Sequence, residues 1–169
     1  MNRQDRATLY GLAIGDGHIS YRTRLKDGKY RYEQAELIIG HGLQQTEYIE
    51  YKAELLHKIF GGNKPKVSTV FYVVKDKKYE GRRVSKTNPY FRLMHGELYK
   101  EDKKKKITRK VLDYMNEQSL ALWFMDDGSI SSNKNNKGDI TSLSLRICTQ
   151  FSEEEELIVT GKQIGRAHV

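Results

Sequence analysis

The chain has 169 residues, enough for one domain or two small ones around a shared core. Lys and Arg number 30 against 22 Asp and Glu, a net charge of +8, and there are 11 Tyr, a balance that favours a nucleic-acid partner because cations displace the counterions of phosphates. The single Cys148 excludes an internal disulfide framework or a cysteine zinc site. No apolar run reaches the roughly 18 residues of a membrane helix, so the chain reads as soluble and unsecreted, its compartment unspecified.

Residues 3–14 read as a helix with Leu9, Leu12 and Ala13 on one face, stopped by Gly15 and Gly17 around Asp16. His18 to Arg24 alternates, Ile19 and Tyr21 against His18, Ser20 and Arg22. Asp27-Gly28 marks a hairpin turn into a partner strand from Tyr30 to Ile39. Gln45 to Phe60 is an amphipathic helix with a stripe of Tyr48, Tyr51, Leu55 and Ile59, ended by Gly61-Gly62-Asn63. Val67 to Val74 is a strand, Lys75 to Asn88 a basic loop or ribbon, and Pro89 to Met94 a further short strand. Four lysines at 103–106 precede a short helix around Arg109 to Met115.

The opening pattern then restarts. Leu120 to Met125 is an apolar helix that Ser119 is placed to cap, ending in Asp126-Asp127-Gly128. Strands follow at Ser129–Ser132 and Ile140–Thr149 around an Asn-rich turn. Ser152 and the acids after it open another helix. Measured against the first half, the second is expected to be unfinished, and 163–169 is expected to be a foreign tail, its last six residues matching a frame of a common sequencing adapter.

Two helices that end together in acids bring Asp16 and Asp127 to one point. One such ending alone is adequately explained as a helix stop. Twice, with an anion opposing the macrodipole each time, it points to chemistry. Paired carboxylates repel unless a cation lies between them, and oxygen donors with free water positions suit Mg²⁺ (or Mn²⁺). Carbonyls at Gly15 and Asp126 are further candidate ligands. The Asp126 side chain has a weaker claim, pointing about 100° away from Asp127 on a helix. Lys104, Lys105 and Lys106 are candidates to polarise a phosphate or the attacking water, and the run singles out none of them. Candidate DNA contacts cluster around the hairpins: Ser20, Arg22, Arg24, Lys29 and Arg31; Lys75, Lys77, Arg82 and Arg83; Lys134, Lys137 and Arg146. His18, His41, His57 and His95 show no metal-ligand spacing.

The segments Leu9–Gly17 and Leu120–Gly128 resemble the two motifs of the LAGLIDADG homing endonucleases, in the single-chain branch found in group I introns. The resemblance spans roughly residues 5–160. It implies an α+β, pseudo-two-fold αββαββα fold with antiparallel sheets that form a saddle over DNA. One subdomain would occupy 1–117 and a partial one 118–162, in a chain monomeric at full length. It further implies that Asp16 and Asp127 are the catalytic, metal-binding acids and that Lys104 or Lys105 is the active-site lysine. The implied activity is site-specific cleavage of both strands of DNA. An intron RNA maturase and a non-catalytic DNA-binding regulator are the alternatives on the same fold. Ile14, Gly15 and Leu122 depart from the motif, and Leu122 implies a wider crossing or a rotated helix.

Overall fold

The computed structural model describes residues 1–26, 30–99 and 104–147, without the side chains of 23–26 and 30–33. Lys29, Lys103, the helix expected from Ser152 and the tail at 163–169 lie outside the described residues.

Helix α1 (Arg3–Ile14) starts where the Asn2 side chain accepts from the Asp5 N–H, and it is buried on every side from Ala7 to Ile14. It leads into β1 (Gly17–Lys26), which pairs antiparallel with β2 (Tyr30–Gly42). Helix α2 (Thr46–Phe60) follows, then β3 (Ser68–Val74) and β4 (Lys77–Thr87). The four strands form one antiparallel sheet in the order β1-β2-β4-β3. The expected ribbon at 75–88 is thus β4 plus a two-residue turn, Lys75 and Asp76, both at positive φ, the geometry that matches the strand twist in a tight hairpin.

Residues 89–94 are helical, not a strand: α3 spans Tyr90–Leu98. Phe91, Met94 and Leu98 recur at helical spacing and are buried, and the Asn88 side chain accepts from the Tyr90 N–H at 2.9 Å. The short helix α4 is Arg109–Leu112. Helix α5 (Glu117–Asp127) is capped by Asn116 rather than Ser119. The two form a capping box, each side chain accepting from the other's backbone N–H, so Ser119 lies inside the helix and is buried. Strands β5 (Gly128–Lys134) and β6 (Ile140–Ile147) make a separate antiparallel pair.

Directly paired residues share a face of a sheet. Ile19, Ala35, Leu37, Ile39 and Val84 line the buried face of the larger sheet, covered by α1, α2 and α3. Ser20, Arg22, Gln34, Glu36, Arg83 and Ser85 line the other. The α2 stripe is rotated from the expected one. Ile49, Lys52, Ala53 and Leu56 are buried, whereas Tyr51 is exposed.

Helices α1 and α5 cross closely. A Cβ on Gly11 would lie 2.7 Å from the Cα of Ser119, and one on Gly15 would lie 2.2 Å from Oδ2 of Asp126. The crossing is therefore not widened by Leu122. Instead Ser119 faces Gly11, and Leu122 is buried in the core beside Trp123. No helix among the described residues is long and apolar enough to cross a membrane.

Candidate functional site

Each motif turns sharply from helix to strand. A Cβ on Gly17 would lie 2.2 Å from the Leu12 carbonyl oxygen, and one on Gly128 would lie 2.2 Å from that of Phe124. Only glycine lets the chain fold back so tightly on its own last turn, which is why each acid is followed by one.

Asp16 sits beyond the end of α1 with 39% of its side chain exposed. Its amide donates to Oδ2 of Asp126 at 3.0 Å, and its own Oδ2 lies 3.3 Å from Nδ1 of His41. Burial, then the negative charge of Asp126, pushes its carboxyl from the usual 3.8 to about 6. Lys52 and Lys105 pull the other way, and Asp127 adds a further upward push. Asp127 is also raised, first by burial and then by Asp126. The charge of Asp127 thus reaches Asp16 from the end of α5.

Asp126 is more central than a single helix suggests. Its side chain is fully buried, because Gly15 leaves room for it across the crossing. The Lys52 ammonium donates to its Oδ1 at 2.6 Å and the Asp16 amide to its Oδ2. Among the described residues, the closest set of metal-type donors is Asp16, His41 and Asp126, all within 4.8 Å of one another. Yet the Lys52 Nζ is 2.6 Å from Asp126 and 2.8 Å from Nε2 of His41, so an ammonium already fills the cation position between two of the three.

Of the two lysines, Lys105 enters the site and Lys104 is exposed. The Lys105 ammonium donates to the carbonyls of Ile14 at 3.0 Å, Gly15 at 2.9 Å and Gly17 at 2.9 Å. Helix α1 has no basic residue in its last turn, so Lys105 supplies the positive charge its C-terminus lacks. Burial lowers Lys105 from 10.5 to about 8, with Asp127, Asp16 and Asp126 opposing. The Gly15 carbonyl, a candidate metal ligand, is one of its acceptors.

His41 and Lys52 escaped the sequence reading. A signal for Lys52 was present, since it falls at helical spacing between Ile49 and Leu56 in an apolar stripe. His41 carries no comparable mark, because its partners come from other elements.

The candidate DNA contacts divide. Ser20 and Arg22 share the polar sheet face with Arg83, and Lys77 falls on that face by pairing with Val74. Lys75 is in the β3–β4 turn, and Arg24 and Arg31 lie on β1 and β2. Arg82 is on the opposite face, where its guanidinium donates to Thr69 at 2.5 Å and Glu80 at 2.8 Å, which satisfies it within the sheet. In the second hairpin, Arg146 pairs with Ser129 on a face shared with Ser131, Asn133, Ser142 and Ser144, and Lys134 and Lys137 lie toward its turn.

The chain is similar to Protein RecA of Mycobacterium gastri, at 33% identity over 125 residues. The match covers 73% of this chain and 26% of the relative. Protein RecA of Mycolicibacterium flavescens matches at 30% over 134 residues, 78% of this chain and 27% of that one. The chain thus spans about a quarter of the length of these relatives. A solved structure of an I-SmaMI mutant shares the fold, with a TM-score of 0.50 at 13% identity over 97% of this chain and 72% of that one. The profile of the LAGLIDADG DNA endonuclease family matches residues 6–162, a span that takes in both motif helices and both acids, and the chain belongs to that family.

Proposed function

We propose that this chain is a site-specific endonuclease that cuts both strands of duplex DNA with a divalent metal, Mg²⁺ or Mn²⁺. The observation that carries the reading is the acid pair at the ends of two crossed helices, where burial and neighbouring negative charge raise both carboxyls. Such a site gains from a cation, and Asp16 and Asp127 are the residues that would hold it. A divalent ion bound there stabilises charge on the phosphate and lowers the pKa of water. Asp126, with both oxygens engaged by Lys52 and the Asp16 amide, supports Asp16. Lys105 keeps the end of α1 closed and adds positive potential beside the acids.

Recognition is assigned to the polar sheet faces. On the larger sheet we assign Ser20, Arg22, Lys77 and Arg83 to bases and phosphates, with Lys75 at the ribbon tip and Arg24 and Arg31 on β1 and β2, and Lys29, outside the described residues, is grouped with them from the sequence alone. On the second hairpin the contacts are Lys134, Lys137 and Arg146. Arg82 is left out, being held by Glu80.

The test is incubation with a supercoiled plasmid library carrying randomised target sites, in Mg²⁺. Linear product enriched for one sequence is expected from the native chain. None is expected from Asp16→Asn or Asp127→Asn, both of which should retain binding to the recovered site. Undiminished linearisation by both variants refutes the reading. Splicing support to an intron RNA that survives both substitutions would favour the maturase alternative.

A further inference from the structure

Lys52 lies on the core-facing stripe of α2 with its side chain wholly buried. An ammonium removed from water needs a partner for each of its three N–H groups. It has a carboxylate oxygen of Asp126 at 2.6 Å, Nε2 of His41 at 2.8 Å, and the ring of Tyr48 beneath it at 4.3 Å.

Each polar partner leads to the same place. Asp126 accepts the Asp16 amide on its other oxygen, and His41 turns its other nitrogen toward the Asp16 carboxylate. The contacts close a ring, Lys52 to Asp126 to the Asp16 backbone, and Lys52 to His41 to the Asp16 side chain. Because an ammonium can only donate, Nε2 of His41 accepts and its proton resides on Nδ1. That N–H faces Oδ2 of Asp16 at 3.3 Å and Oε1 of Gln45 at 3.2 Å. His41 is therefore a neutral relay rather than a charged partner.

We propose that Lys52 is a positioning residue for Asp16, a tethered cation that joins α2 to α5 and fixes both the amide and the carboxylate of that acid. Lys52 also takes the place a metal would have between Asp126 and His41. This rests on the reading of Asp16 as a catalytic acid, but the contacts themselves are testable without cleavage.

Nitrogen NMR of His41 reads the ring directly. The Nδ1–H tautomer is expected in the native chain. Lys52→Met should release Nε2 and shift the ring toward Nε2–H, which a merely space-filling lysine would not do. A native Nε2–H tautomer overturns the proposal. Lys52→Met leaves Asp126 unpaired in the core, so Lys52→Met/Asp126→Asn provides a stable background, with a thermal midpoint expected close to native. On the DNA site recovered from the library, this double variant should bind within about threefold of native. Its single-turnover cleavage should fall about a hundredfold, the scale of a misplaced reacting group. Cleavage restored along with the midpoint means that Lys52 serves only the fold, and overturns the proposal. If the native chain cuts no DNA, the functional reading fails, and the tautomer alone decides whether Lys52 holds His41 as argued.

Discussion

The units α1–β1–β2 and α5–β5–β6 follow one plan, an apolar helix, an acid and glycine, and a hairpin, yet they solve packing differently. At the third motif position the first has Gly11, which admits Ser119, and the second has Leu122, which fills the core. At the seventh the first has Gly15 and the second Asp126, lodged in the space that Gly15 leaves. The hairpins differ as well. Ile19, Leu37 and Ile39 are buried under helices, whereas Ile130, Ile140, Leu143 and Leu145 share one face of the second hairpin and are each 57–64% exposed. A shared order of elements thus coexists with side-chain complementarity, and where one helix has a glycine the other fills the space. The alternation that makes a strand is local, while its cover comes from elsewhere in the chain.

Exchanging the seventh residues tests whether the two units are interchangeable. Gly15→Asp puts a carboxylate into occupied space and should cost about 3 kcal/mol in urea unfolding. Asp126→Gly strands the buried Lys52 and should cost about 3–5 kcal/mol. The double exchange should not recover the native stability, because the Lys52 ammonium is paired with a carboxylate that starts from α5, not from α1. Full recovery would mean that the two units are interchangeable there.

A smaller effect concerns the acids at the eighth position. The folded Asp16 carboxyl titrates near 6 rather than 3.8, so between those values the folded state holds the proton more tightly than the unfolded one. Its contribution is present below about pH 3.8 and is lost as pH rises through 6. Without metal, Asp16→Asn should therefore raise the thermal midpoint at pH 7 while leaving it almost unchanged at pH 4. Asp127 shifts in the same direction, so Asp127→Asn should behave alike. A midpoint lowered at pH 7 by both would contradict the raised carboxyls.

The smallest expected effect separates the hairpins as DNA contacts. Lys77→Gln, Lys134→Gln and Lys137→Gln should each reduce the slope of log affinity against log salt by about 0.9 per lost phosphate contact. A change confined to Lys77 would remove the second hairpin from the interface.

Much of this architecture is legible in the sequence. The two motif helices, both hairpins and α2 follow from periodicity and from Asp-Gly or Gly-Gly stops. Residues 89–94 look like a strand by themselves, because the helical spacing of Phe91 and Met94 becomes plain only with Leu98, beyond that window. On an isolated α5 cylinder the Asp126 side chain points away from Asp127. Its place depends on the absence of a side chain at Gly15, a residue on another helix. His41 and Lys52 acquire meaning only through Asp126 and Asp16, and no local pattern encodes such partners. A reciprocal box offers two polar residues as the cap, and the earlier one, Asn116, fills that place while Ser119 lies inside the helix.

The sequence separations around Asp16 have a consequence for synthesis. The lysine that closes its helix arrives 88 residues after Gly17, and the carboxylate that holds its amide arrives 110 residues after Asp16 itself. A ribosome therefore releases the first acid, with His41 and Lys52 soon after it, long before it releases Lys105 and Asp126. A chain cut short of these residues carries that acid without Lys105 and Asp126, so assembly of the centre is deferred until Asp126 has emerged.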